Sequence, residues 1–163
     1  MTVKKLFLIR HGKAEDYSFL KKDYDRNLIE KGQKRTTLIA QKLIAHLSSG
    51  KTQVVSSTAN RALQTAQLFC DVIHYPQQHI KLEKGIYEAY YSDILRVINA
   101  IPDDVEQVLV FGHNPGLSDL TNYLCHSSID LKTSHAAEII LPENFNFSEI
   151  SGGTCHLQTV ITE

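Results

Sequence analysis

The chain is short of the features that mark specialised protein classes. Its three cysteines, Cys70, Cys125 and Cys155, are odd in number and widely spaced, so they form neither a disulfide framework nor a CxxC metal or redox site. They read as small apolar fillers in a protein of a reducing compartment. Seventeen Lys and Arg against eighteen Asp and Glu leave a formal net charge of −1. No block of like charge is long enough for a nucleic-acid or membrane arm. Long apolar runs are missing too: "LFLI" follows Lys4 and Lys5 but stops at Arg10, too short for a signal-peptide core, and nothing else approaches a membrane span. These absences predict a cytoplasmic protein with no nucleic-acid or membrane partner, whose anion-binding surface, if any, is local.

What is present is a repeated pattern. At 163 residues the chain suits a single domain, residues 1–163, with no linker, internal repeat or low-complexity segment. Three times a short apolar run leads into a polar stretch carrying His or Arg: "KLFLI" into "RHGKAED", "TQVVSS" into "TANRALQTA", "QVLVFG" into "HNPGLSD". Continuous apolar runs of this length suit strands covered on both faces. Helical spacing follows, with Ile39, Leu43 and Leu47 on one stripe, Leu63, Ala66, Cys70 and Ile73 on a second, and Leu117, Leu120 and Leu124 on a third. Strands alternating with helices predict βαβ crossovers and a mainly parallel α/β sheet. "SSG" at 48–50 should end the first long helix, Thr58 or Asn60 should cap the second, and Ser92 should cap "DILRVINAI". "KTSHAAEIILP" and "GGTCHLQTVI" read as two more strands joined by a polar, glycine-containing loop.

In open α/β sheets, ligands bind beyond the carboxyl ends of the strands. If the three runs are neighbours, Arg10, His11, Arg61 and His113 emerge together there. Two guanidiniums supply planar N–H forks suited to phosphate oxygens. Two imidazoles add donors or, when neutral, a nucleophilic nitrogen. Arg61 also lies near a helix start, where a cation opposes the helix dipole unless an anion joins it. Taken singly, each side chain could be an ordinary surface or loop residue; together they make a phosphate-handling set.

The three segments also match a family pattern. "RHGKA" resembles the RHG signature of the histidine phosphatase (phosphoglycerate mutase-like) superfamily, "SSTANRALQTA" its "SSPxxRAxQTA" segment, and "GHNPGLSDL" its second histidine motif. The short chain is most similar to the SixA-type phosphohistidine phosphatase branch, and the likeness extends through "DRNLIEKG" and "LKTSHAAEIIL". Two positions depart: Thr58 stands where the family usually has proline, and Ile29 where it often has a helix-capping threonine. The resemblance implies a three-layer sandwich, a mainly parallel central sheet flanked by helices.

It also implies a reaction. His11 would be the nucleophile, carrying the phosphoryl group until water removes it, its pKa depressed by Arg10 and Arg61. Arg10, Arg61 and His113 would clamp the phosphoryl oxygens, and Gly12 would let the backbone approach them closely. Glu88 in "GIYEAY" is the best positional match for a general acid, with Glu83 behind it. No cofactor is implied, and no metal, since His46, His74, His79, His126, His135 and His156 form no HExxH or other compact ligand pattern. Fewer than thirty residues separate Ile73 from Pro102, leaving little room for a lid. An open site favours a phosphorylated protein, such as a histidine phosphotransfer domain. The alternatives are a broad phosphatase of small phosphoesters or phosphoserine, and a noncatalytic phosphate-binding protein. The oligomeric state stays undetermined.

Overall fold

A computed structural model describes residues 3–163. Six strands form one sheet in the order β3-β2-β4-β1-β5-β6, where β1 is Lys5–Arg10, β2 Thr52–Ser56, β3 Lys81–Leu82, β4 Gln107–Gly112, β5 Ala136–Ile140 and β6 His156–Ile161. Among the described residues the α-helices are α1 (Glu30–Leu43), α2 (Asn60–Ile73), α3 (Tyr91–Asn99) and α4 (Gly116–Cys125). The strands β3, β2, β4 and β1 run parallel, and β5 alone is reversed, pairing antiparallel with both β1 and β6. The sheet is therefore mainly parallel, with an antiparallel edge.

Alternation along the central strands builds three layers. Leu6 and Leu8 of β1 and Val108 and Val110 of β4 face a core completed by α3 and α4 through Ile94, Ile98, Leu117, Leu120 and Leu124. Phe7, Ile9, Leu109 and Phe111 face the opposite core, closed by Ile39, Ala40 and Leu43 of α1 and Ala66, Phe69 and Cys70 of α2. Both faces of β1 and β4 are thus dry, which is why these strands read as unbroken apolar runs instead of alternating ones. The cysteines are all free thiols, Cys70 buried, Cys125 and Cys155 half-buried. Burial pushes the Cys70 and Cys125 thiols up to about 12, which suits the filler reading.

Helix ends depart from expectation. The first helix stops at Leu43 and tightens into a 3-10 turn, Ile44–His46, before the "SSG" segment. The second is capped by neither Thr58 nor Asn60: Ala59 occupies the cap position without a side-chain bond. Asn60 instead donates to the Asp25 carbonyl and to Asn27 Oδ1, and Thr58 Oγ1 is buried without a partner. Helix α3 starts one residue before Ser92, and its entry is fixed by the Asp93 carboxylate accepting the Tyr90 N–H at 3.0 Å.

The connections place a crevice. From β1 the chain crosses by α1 over β4 to β2; from β4 it crosses by α4, on the other face, over β1 to β5. Adjacent strands whose crossovers depart in opposite directions leave a gap at their carboxyl ends, the topological switch point at which α/β proteins bind ligands. Arg10 pairs with Gly112 at that edge.

Candidate functional site

Arg10 and His11 leave β1 there, His113 leaves β4, and Arg61 enters from the first turn of α2. The strands carrying them are direct neighbours, in the order β2-β4-β1. The imidazoles of His11 and His113 lie 5.3 Å apart, centroid to centroid. His11 is 8% exposed and Arg61 5%.

Hydrogen bonding assigns the His11 tautomer. His11 Nδ1 lies 2.7 Å from the Gly12 carbonyl oxygen. A carbonyl only accepts, so the proton is on Nδ1 and Nε2 carries the lone pair. Ser57 Oγ accepts the Ala59 N–H at 3.2 Å and sits 2.8 Å from His113 Nε2. With two lone pairs, Ser57 Oγ can accept from Nε2 or donate to it; where it donates, the His113 proton is on Nδ1. Burial, reinforced by the positive charge of Arg61, Arg10 and Arg26 against the Gly12 hydrogen bond, lowers the His11 pKa to about 4. Burial, then His11 and the two arginines, lowers that of His113 to about 3. Both rings are neutral near pH 7.

Three nitrogens of this group are buried with no protein partner: Arg10 Nε, Arg61 Nε and His113 Nδ1. Buried donors without partners are uncommon and costly, by roughly 1–3 kcal/mol each. Arg10 Nε and Arg61 Nε are N–H donors of residues at the switch-point edge and suit the oxygens of an oxyanion. The remaining donors hold the guanidiniums in place. Arg10 Nη1 donates to the Leu131 carbonyl at 3.0 Å; Arg61 Nη1 donates to the Asp23 carbonyl at 2.8 Å and Nη2 to Asp23 Oδ2 at 3.1 Å.

Asp23 is the main feature that sequence reasoning missed. It sits in the 3-10 turn Asp23–Asp25 and accepts from Arg61, from Tyr87 Oη at 2.7 Å and from Arg26 Nε at 2.9 Å. Burial pushes its carboxyl up, but the Tyr87 hydroxyl and the arginines outweigh that and hold it below the ordinary value. The anion demanded by a cation at the start of α2 is thus supplied in part by the protein itself. Tyr87 completes this wall, its ring 5.5 Å from that of His113. The spacing of Asp23 and Arg26 in "DYDR" carries no strand or helix periodicity, so only the "DRNLIEKG" resemblance hinted at their neighbourhood.

Gly12 also meets a packing demand. A Cβ there would stand 2.6 Å from Thr36 Oγ1 and 3.1 Å from Ser134 Oγ, so the missing side chain makes room for the packing behind the crevice. The Gly12 N–H is itself used, donating to Thr65 Oγ1 at 2.9 Å. Glu88 is exposed with a left-handed backbone, φ 53°, a conformation uncommon outside glycine and often retained at functional segments. It shares an open cleft with Glu83, Tyr87, Asp93 and Arg96, and the Tyr87 ring of this segment stands beside His113.

A doubly covered sheet with two neutral histidines and two anchored arginines at its switch point defines a phosphate-handling α/β protein. Residues 6–115 match the family profile of the histidine phosphatase superfamily (branch 1), and the chain belongs to that superfamily. An uncharacterized protein of Picosynechococcus sp. is 32% identical over 117 residues, 70% of this chain and 68% of that protein. The fold is shared with SixA of Nakamurella multipartitia, at a TM-score of 0.84 and 23% identity over 98% of this chain and 96% of that one. It is shared also with the protein histidine phosphatase SixA complexed with tungstate, at a TM-score of 0.80 and 22% identity over 97% and 96%.

Proposed function

We propose that this chain is a cytoplasmic phosphohistidine phosphatase of SixA type, acting on a phosphorylated protein such as a histidine phosphotransfer domain through a covalent intermediate on His11. The observation that carries this reading is the His11 ring: its Nδ1 proton is committed to the Gly12 carbonyl at 2.7 Å, so Nε2 carries the lone pair, beside the His113 ring and within the field of Arg61 and Arg10. Family membership supports it. So does the fold shared with a SixA that holds tungstate, a tetrahedral oxyanion of phosphate's shape and charge.

Nε2 of His11 attacks phosphorus in line; the bond from phosphorus to the substrate's imidazole nitrogen breaks, and that nitrogen takes a proton. Water then attacks phosphorus, the bond to Nε2 breaks, and phosphate leaves with His11 neutral again. Arg10, Arg61 and His113 stabilise the charge on the equatorial oxygens, the chief demand of phosphoryl transfer. Fixing the fork of Arg61 is the part of Asp23. Glu88, in the open cleft it shares with Tyr87, is the acid candidate, and an imidazole leaving group asks little of it. Comparing Glu88→Gln on a phosphohistidine and on an alkyl phosphate measures that role.

The test is phosphate release from a phosphohistidine-bearing phosphotransfer protein, with chelator present, by the wild type and by His11→Ala. Release by the wild type, reduced by at least about a thousandfold in the variant, is the expected result. Equal rates would remove His11 as nucleophile, and loss of wild-type activity on chelation would bring in a metal.

A further inference from the structure

Among the large apolar side chains that the fold leaves in water, Phe19 and Leu20 are the most exposed, at relative exposures of 111% and 97%. They form the tip of a turn closed by an antiparallel bridge between Ser18 and Lys21 and by the Leu20 N–H donating to Ser18 Oγ at 3.0 Å. Turn tips favour Gly, Pro, Asn, Asp and Ser. Two adjacent bulky apolar residues there contradict the local chemistry and bury nothing within the chain. Conflicts of this kind are expected where function overrides folding preference.

The turn is tied to the phosphate crevice. At its base Ala14 pairs with Leu28, and the Glu15 N–H donates to the Asn27 carbonyl at 2.8 Å. The Arg26 guanidinium lies 4.0 Å from the Tyr17 ring centroid and donates to the Glu15 carbonyl at 2.6 Å. Arg26 also holds Asp23, which holds Arg61. The tip therefore stands on the rim of the crevice, in a position set by the site's own side chains. Tyr17, Ser18 and Phe19 line a cleft of about 170 Å³. A cavity of about 150 Å³ accepts benzene, so this one has room for a single apolar side chain. Next to the tip, Asp16 and Lys22 are exposed, and Lys21 is paired with Glu15 at 2.9 Å.

We propose that Phe19 and Leu20, with the cleft beside them, are the docking contact for a folded protein that presents its phosphohistidine next to an apolar patch. This rests on the phosphohistidine reading above. A small phosphorylated molecule fills the crevice and stops there. A protein that brings a phosphohistidine to Nε2 of His11 must lay its surface over the rim, where this turn protrudes. Exposed aromatic and leucine side chains bury well against an apolar patch, and aromatics are enriched among the residues that dominate interface energetics.

The experiment compares the full-length wild type with the double variant Phe19→Ser/Leu20→Ser on two substrates of the same leaving group, a phosphorylated histidine phosphotransfer domain and free phosphohistidine. The expected result is a KM for the phosphoprotein raised about tenfold, kcat nearly unchanged, and free phosphohistidine kinetics within about twofold of wild type. Phe19→Leu/Leu20→Met, which keeps the apolar tip, restores the phosphoprotein KM. An unchanged phosphoprotein KM, or equal losses on both substrates, overturns the docking role. Failure of the underlying reading is seen in the wild type alone: release from free phosphohistidine or a small phosphoester but from no phosphoprotein removes the protein substrate, and the docking surface with it.

Discussion

At the scale of the residue, the crevice depends on side chains that are held as much as on those that would react. Arg61 spends two donors on Asp23, which fixes its plane and leaves Nε without a protein partner. Asp23→Ala removes the carboxylate between Arg61, Arg26 and Tyr87, releasing the fork and leaving two cations facing one another. Its expected effect is a kcat/KM lowered at least about tenfold, with stability reduced by about 1–2 kcal/mol, a modest figure because Asp23 is partly open to solvent. Kinetics on a small phosphoester together with a urea titration measure both; an unchanged kcat/KM would mean that Arg61 needs no support. The cluster Arg10, His11, Arg61 and His113 was legible in the sequence because each residue directly follows an apolar run or opens a helix, so topology alone carries it to one edge. Asp23 and Tyr87 come from turns without periodicity, and nothing local marks them. The packing demand at Gly12 was not legible, because its neighbours Thr36 and Ser134 belong to distant segments and only the fold brings them against it.

At the scale of the element, the apolar runs located β1, β2 and β4 and the stripes located α1, α2 and α4, because a sheet buried on both faces imposes one continuous signal and an amphipathic helix another. The reversal of β5 was not legible, since an antiparallel edge strand has the same composition as a parallel one. Helix ends were read least well. Capping needs one particular hydroxyl or carboxylate at one angle, and the side chains named for α2 are engaged elsewhere or unpaired. The start of α1 shows what such a cap is worth. Ile29 occupies the cap position and makes no side-chain bond, so the first N–H groups of α1 lack that partner. Ile29→Thr supplies a hydroxyl within reach of the Gly32 N–H and should raise stability by about 1 kcal/mol, read as a higher urea midpoint at unchanged slope. A midpoint that fell instead would show that the half-buried isoleucine contributes more through packing than the cap restores.

At the scale of the molecule, the burial that prepares His11 for chemistry also makes the whole fold sensitive to acid. In the unfolded chain His11 and His113 titrate near the ordinary 6.5; in the folded protein burial and the surrounding arginines hold them at about 4 and about 3. Burial, with Arg35, Lys132 and Arg10, lowers His135 as well. Between these limits the unfolded chain binds more protons than the folded one, so unfolding free energy rises with pH. The stability is fully present above about pH 6.5 and is lost progressively as pH falls toward 4. Each such proton contributes up to about 1.4 kcal/mol per pH unit. Asp23 does not interfere, because its depressed carboxyl acts below its ordinary value, at the acid end of this window. Urea titrations at pH 7, 6 and 5 therefore show a falling midpoint in the wild type and a shallower fall in His11→Asn/His113→Gln, in which two of the titrating groups are gone. The slope with pH, not the absolute stability, is the readout, since the variant also changes packing in the crevice. Identical slopes would mean that the histidines titrate normally, and His11 would then be substantially protonated at pH 6 and unable to offer Nε2. A shallower slope in the variant, with wild-type kcat on a small phosphoester nearly flat from pH 5.5 to 7.5, would tie both properties to one cause: two imidazoles kept neutral by burial beside fixed positive charge.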